Sequence, residues 1–181
     1  MKRVILVVLC TVAVMFGTLE VANADEQDRS MWPPRPGLAL KAGGGLYHSV
    51  PCGCFDRSLV HAELAARLHF GQRWAIEGDT QRGAMMLGGR FPSQGWAIGG
   101  MVSILPHQGR WWENVSVRAG YRWWQTMGMR APWTNGGYVA LNWAVPVTSH
   151  IYIETDALAG RMFRDLPHWE LGGRLGVSFR F

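Results

Sequence analysis

The sequence predicts an all-β protein, an eight-stranded antiparallel up-and-down β-barrel that crosses a membrane and has a charged interior filled by side chains. Three observations predict it. The chain ends in strict alternation: Trp169, Leu171, Gly173, Leu175, Val177, Phe179 and Phe181 lie on one side, and His168, Glu170, Gly172, Arg174, Gly176, Ser178 and Arg180 on the other. The same period of two recurs in seven earlier segments separated by turn residues. Finally, Lys2 and Arg3 precede the apolar run Val4 to Phe16, and Ala22-Asn23-Ala24 then offers a small-x-small cleavage pattern. Residues 1–24 therefore read as a secretory signal peptide, because the run is too short to span a bilayer. No later stretch reaches the roughly 20 uninterrupted apolar residues of a membrane helix. Export then leaves either a soluble domain or a barrel.

The elements follow in order. Residues 25–36, with Trp32-Pro33-Pro34-Arg35-Pro36, form an extended lead-in, since proline supplies no ladder donor. The barrel occupies 37–181. Its first segment, 37–48, turns Lys41, Gly43 and Gly45 inward. The second, 58–71, alternates Val60, Ala62, Leu64, Ala66, Leu68 and Phe70 with His61, Glu63, Ala65, Arg67 and His69. The third, 73–84, sets Trp74 and Ile76 against Arg73, Glu77 and Asp79, and its boundary leaves open whether Met85 to Arg90 extends it. The fourth, 95–105, carries Gly99 inward and stops before Pro106. The fifth, 113–126, sets Val115, Val117, Ala119, Tyr121 and Trp123 against Ser116, Arg118, Gly120, Arg122 and Trp124. The sixth, 136–147, opposes Val139, Leu141, Trp143 and Val145 to Tyr138, Ala140, Asn142 and Ala144. The seventh, 150–163, opposes Ile151, Ile153, Ala157 and Ala159 to Tyr152, Glu154, Asp156 and Leu158; the eighth is 168–181.

An even strand count returns both termini to one side, expected to be the periplasm. The turns there are Gly71-Gln72-Arg73, Pro106 to Arg110 and Val147-Thr148-Ser149; the opposite loops, about 49–57, 85–94, 127–135 and 164–167, are expected to be generally longer. Apolar faces must meet lipid, where an arginine at mid-depth costs about 2–4 kcal/mol. The charges therefore share the interior: Lys41, Arg67, Arg73, Arg118, Arg122, Arg174 and Arg180 against Glu63, Glu77, Asp79, Glu154, Asp156 and Glu170. An eight-stranded barrel is only wide enough for its own side chains, and buried charges must pair, so the expectation is a plug and not a pore. Inward glycines, including Gly43, Gly45, Gly99, Gly120, Gly160, Gly172 and Gly176, either open a ligand cavity or make room for arginines and strand curvature. Trp74, Trp111, Trp112 and Phe179 fall near one set of strand ends, and Trp123, Trp133, Phe163 and Trp169 near the other, as interfacial girdles do.

Composition limits the remaining classes. Removing 24 of 181 residues leaves 157, enough for one domain. The net charge of +5 becomes +4 once Lys2, Arg3 and Glu20 are discounted, and the arginines are spread along the chain, which disfavours nucleic-acid binding. Cys52 and Cys54 are the only cysteines after residue 24. In an oxidising compartment they pair, either as a tight loop clip across Gly53 or between molecules. Two sulfurs supply only half a zinc site, and neither metal nor cofactor is expected.

With its strand number, face alternation and terminal Val177-Ser178-Phe179-Arg180-Phe181, the chain over residues 37–181 resembles the small eight-stranded outer-membrane barrels: the OmpA transmembrane domain and the OmpX/Ail-like proteins. The resemblance implies a monomer in the outer membrane with periplasmic termini. Its partners would be membrane lipid and lipopolysaccharide, the assembly machinery acting on Val177, Phe179 and Phe181, and an unidentified surface partner. The implied role is structural or one of surface interaction, without enzymatic activity. Two lipid A enzymes share the barrel size, a palmitoyltransferase and a 3-O-deacylase. The first uses a His with an Asp-Ser pair and the second a His-x-Ser; neither motif occurs here, and the nearest approaches are His48-Ser49 and Ser149-His150. An unrelated acyl-transfer site would draw on His61, Glu63, His168 and Glu170, which point inward near the extracellular end, with His48 at the mouth of the first loop. A narrow channel or small-molecule binder is the third class.

Overall fold

A computed structural model describes residues 37–50, 57–70, 73–86, 90–104, 115–127, 134–148, 150–163 and 168–181. The expected signal peptide 1–24, the lead-in 25–36, the Cys52 and Cys54 pair and Trp32, Trp111, Trp112 and Trp133 lie outside the described residues. The strands are β1 (Gly37–Val50), β2 (Arg57–Phe70), β3 (Trp74–Met86), β4 (Arg90–Ser103), β5 (Val115–Thr126), β6 (Thr134–Pro146), β7 (Ile151–Met162) and β8 (His168–Arg180). They form one closed antiparallel barrel in sequence order, sealed where β1 pairs with β8.

The register fixes the shape. Paired residues lead from Ala84 through Val60, Leu46, Gly173, Ala157, Leu141, Val117 and Val102 back to β3 at Trp74. One circuit thus slips from position 84 to position 74, a shear of ten residues. Eight strands with such a stagger tilt by roughly 35–45° and enclose only enough space for their own side chains.

The polarity is inverted relative to a water-soluble protein. Leu64, Trp74, Val139 and Val177 are more than half exposed on the outer wall, whereas Arg118, Glu154 and Asp156 are wholly buried inside. Every alternation read from the sequence holds on β2 and β5 to β8, because a period of two places successive side chains on opposite faces. Most strand ends lie within two residues of the expectation, and the start of β4 differs most. β3 runs to Met86 and β4 begins at Arg90, so the segment 85–94 contains two strand ends and only a short connection. Phe91 to Gly95 continue the pleat as far as Met127, whose amide donates to Pro92 O at 2.8 Å. On the rim where β1 begins and β8 ends, the connection from β4 to β5 spans 104–114, longer than any on the opposite rim. Long loops are therefore not confined to one side.

Inward glycines are occupied by their neighbours. A methyl at Gly95 would come within 2.6 Å of the Trp124 ring, at Gly99 within 2.7 Å of Tyr138 Oη, and at Gly176 within 2.9 Å of Lys41 Cε. Gly172 lies against the Tyr47 ring. Large interior side chains use the room the glycines give up, which decides between the two readings in favour of packing.

Candidate functional site

The interior is two stacked zones. The zone nearer the chain ends is ionic. Arg67 donates to Glu77 (Nε, 2.7 Å) and to Glu154 (Nη1, 3.0 Å; Nη2, 2.7 Å), and Arg118 pairs with Glu77 and with Asp156 at 3.6 Å. Arg174 reaches Asp156 at 2.6 Å, Glu63 at 2.8 Å and Asp79 at 3.2 Å. Lys41 lies 2.9 Å from Asp156 and 3.2 Å from Glu63. Asn142 and Ser178 complete the carboxylates, donating to Asp156 at 2.8 Å and to Glu154 at 2.7 Å. At the mouth, Arg180 is 3.5 Å from Glu154 and lies over the Tyr152 ring at 3.8 Å.

All six carboxylate side chains of the described residues are inward: Glu63, Glu77, Asp79, Glu154, Asp156 and Glu170. Six cations face them: Lys41, Arg67, Arg118, Arg122, Arg174 and Arg180. Arg73, expected to be the seventh, is exposed at the β2–β3 turn, its carbonyl accepting from Ser103 N at 2.9 Å. It keeps the inward parity but lies just past the end of the wall that would enclose it. Removing it makes the interior charge sum to zero, the condition under which desolvated ions are least unfavourable.

The zone nearer the loop rim is aromatic. Tyr47 stacks on His61 (4.5 Å between centroids, 17°), Trp124 meets both rings edge-on, and the Arg122 guanidinium lies 4.6 Å from the Tyr47 centroid. Leu59, Leu158, Tyr138 and Met162 belong to the same buried cluster. Sequence alternation already put Trp124, Tyr138 and Leu158 on the inward side; that they meet as a cap depends on tilt and depth, which alternation does not encode.

The four candidate acid–base residues divide into two pairs. His61 Nε2 is 3.7 Å from Glu63 Oε2, beyond hydrogen-bond distance, and Glu63 is held by Arg174 and Lys41. His168 Nε2 is 3.2 Å from Glu170 Oε1, and Glu170 also pairs with Arg122. Both carboxylates are thus engaged in charge pairing within the plug. His48 lies two residues before the end of β1, on its outer wall, with Nδ1 3.1 Å from Ser58 Oγ on β2. Among the described residues no group of three His, Cys, Asp or Glu could hold a metal ion. No described helix is long and apolar enough to cross a membrane, which bears only on helices.

A closed eight-stranded antiparallel barrel with an apolar outer wall and a side-chain-filled ionic interior is the fold of the small outer-membrane barrels. Among solved structures the chain is similar to Neisserial surface protein A (11% identity, TM-score 0.59, 80% of this chain and 97% of that one). It is likewise similar to the N-terminal β-barrel domain of OprF from Pseudomonas aeruginosa (11%, 0.57, 82% and 100%). A third is Ail, the attachment invasion locus protein of Yersinia pestis (14%, 0.53, 81% and 99%). At such identities the likeness is one of fold. No protein family and no curated protein sequence matches the chain.

Proposed function

We propose that this chain is a non-enzymatic integral protein of the outer membrane, with both termini in the periplasm and a structural or surface-interaction role in the envelope. The observation that carries the reading is the neutral six-against-six interior, sealed toward the loop rim by the Tyr47, Trp124 and Met162 cluster. Such a plug leaves the rim connections and the outer wall as the surfaces able to meet partners. Val177 and Phe179, exposed on the outer face of β8, and Phe181, exposed just beyond its end, are the residues offered to the assembly machinery. Membrane fractions of cells producing the full chain should contain it in the outer membrane, with heat-modifiable migration on a gel. Planar bilayers should show no large steady conductance. A soluble periplasmic protein, or a steady ohmic pore, contradicts the proposal.

One observation favours a second reading, acyl-ester chemistry on outer-leaflet lipid: the His48–Ser58 hydrogen bond on the lipid-facing wall. A histidine within reach of a serine hydroxyl is the minimal nucleophile–base pair. Labelling of the folded protein by a fluorophosphonate probe, lost in S58A, would support it. An unlabelled protein, together with an unchanged lipid A mass profile in cells with and without the chain, leaves the pair a surface hydrogen bond. The second outcome is the one expected of a non-enzymatic barrel.

A further inference from the structure

The outer wall carries an unusual polar row. Arg82 on β3 is exposed on the lipid-facing side, although Thr80 and Ala84 along β3 and Ala62 beside it on β2 are small. In register beside it is Gln94 on β4, and beside that Gln125 on β5. Gln94 Nε2 donates to Gln125 Oε1 at 3.0 Å. One outward position closer to the barrel's middle, Trp96 and Trp123 are paired in register and stacked at 3.9 Å with 18° between planes. The amide pair thus lies one outward step from a two-indole shelf, with Arg82 in register beside Gln94.

Three features point to the ligand. An outward arginine costs about 2–4 kcal/mol at the bilayer midplane but about 0–1 near the interface, so its place is the headgroup layer, which stacked tryptophans also prefer. Among the described residues Arg82 has no ion pair, and every described carboxylate side chain is inside the barrel and partnered there. Among the described residues the outer wall therefore carries cations and no acidic side chain. A planar guanidinium matches phosphate oxygens bidentately, and the amides beside it can bond further phosphate or sugar oxygens.

We infer that the Arg82, Gln94 and Gln125 row over the Trp96–Trp123 shelf is a docking site for the phosphorylated headgroup of a membrane lipid. This rests on the outer-membrane reading, which places that rim in the lipopolysaccharide-bearing leaflet. Arg161, which lies 5.4 Å from the Trp169 ring on β7 and β8, is the outward cation of the opposite wall.

The test is native mass spectrometry of the refolded full chain with bis-phosphorylated lipid A, fully dephosphorylated lipid A and phosphatidylcholine. The wild-type protein should retain the phosphorylated lipid preferentially. R82Q should lower that retention about tenfold, with the double variant Q94A/Q125A intermediate, while retention of dephosphorylated lipid A and phosphatidylcholine stays weak and equal in all. R161Q controls for diffuse surface charge. Equal retention of the phosphorylated and dephosphorylated lipids, an unchanged R82Q, or equal losses in R82Q and R161Q would each overturn the site. Heat-modifiable migration is read on every variant. Its absence in the wild-type chain would fail the membrane-barrel reading itself, whereas its presence with no lipid preference fails only the docking site.

Discussion

Glu154→Ala is expected to destabilise the folded barrel by about 3–5 kcal/mol, measured by urea titration in lipid vesicles, because it strips a buried cation set of its shared partner. Glu154 accepts from Arg67 at two oxygens, from Ser178 at 2.7 Å and from Asn142 at 3.3 Å, and faces Arg180 at 3.5 Å. Its removal leaves an excess positive charge among side chains that are themselves buried. A loss below about 1 kcal/mol would mean that the interior is hydrated well enough to replace a carboxylate.

Gly43→Ala is expected to cost at least about 2 kcal/mol in the same titration, and Gly100→Ala less than about 0.5. Gly43 and Gly176 face each other in the β1–β8 pairing that closes the barrel. A methyl at Gly43 would come within 2.7 Å of Gly176 Cα and would also crowd the Leu175 carbonyl, so only backbone could move aside. At Gly100, on the outer wall, an added methyl meets nothing within 4 Å. Equal effects at the two positions would show that closure is loose enough to absorb a methyl group.

The faces of this barrel are legible in its sequence because a strand encodes them locally: His61, Glu63 and Arg67 face in wherever β2 is placed. Partners are not local. Nothing near Lys41 announces Asp156, which lies 115 positions away, and the pairing follows from the ten-residue shear. Arg73 departs from expectation for a related reason, since alternation assigns a side but not whether a wall stands there. The 85–94 segment is ambiguous in the sequence because Gly88, Gly89 and Pro92 resemble a loop, while Pro92 occupies an outward position on β4 and its carbonyl still accepts from Met127. The aromatic cap and the outward row from Arg82 to Gln125 both depend on depth along tilted strands, a coordinate that no single segment carries.

The inward charges also bear on how such a chain could travel. In any extended stretch of β2 or β7, a charged or polar residue interrupts the apolar ones every few positions, so no window approaches the roughly 20 apolar residues that a translocation channel releases sideways into the first bilayer it meets. On the proposed route to the outer membrane, ions that later neutralise one another in the lumen would thus first keep the unfolded polypeptide from being trapped in the wrong membrane. The apolar wall comes into being only when all eight strands close and the hydrophilic half of each is withdrawn from view.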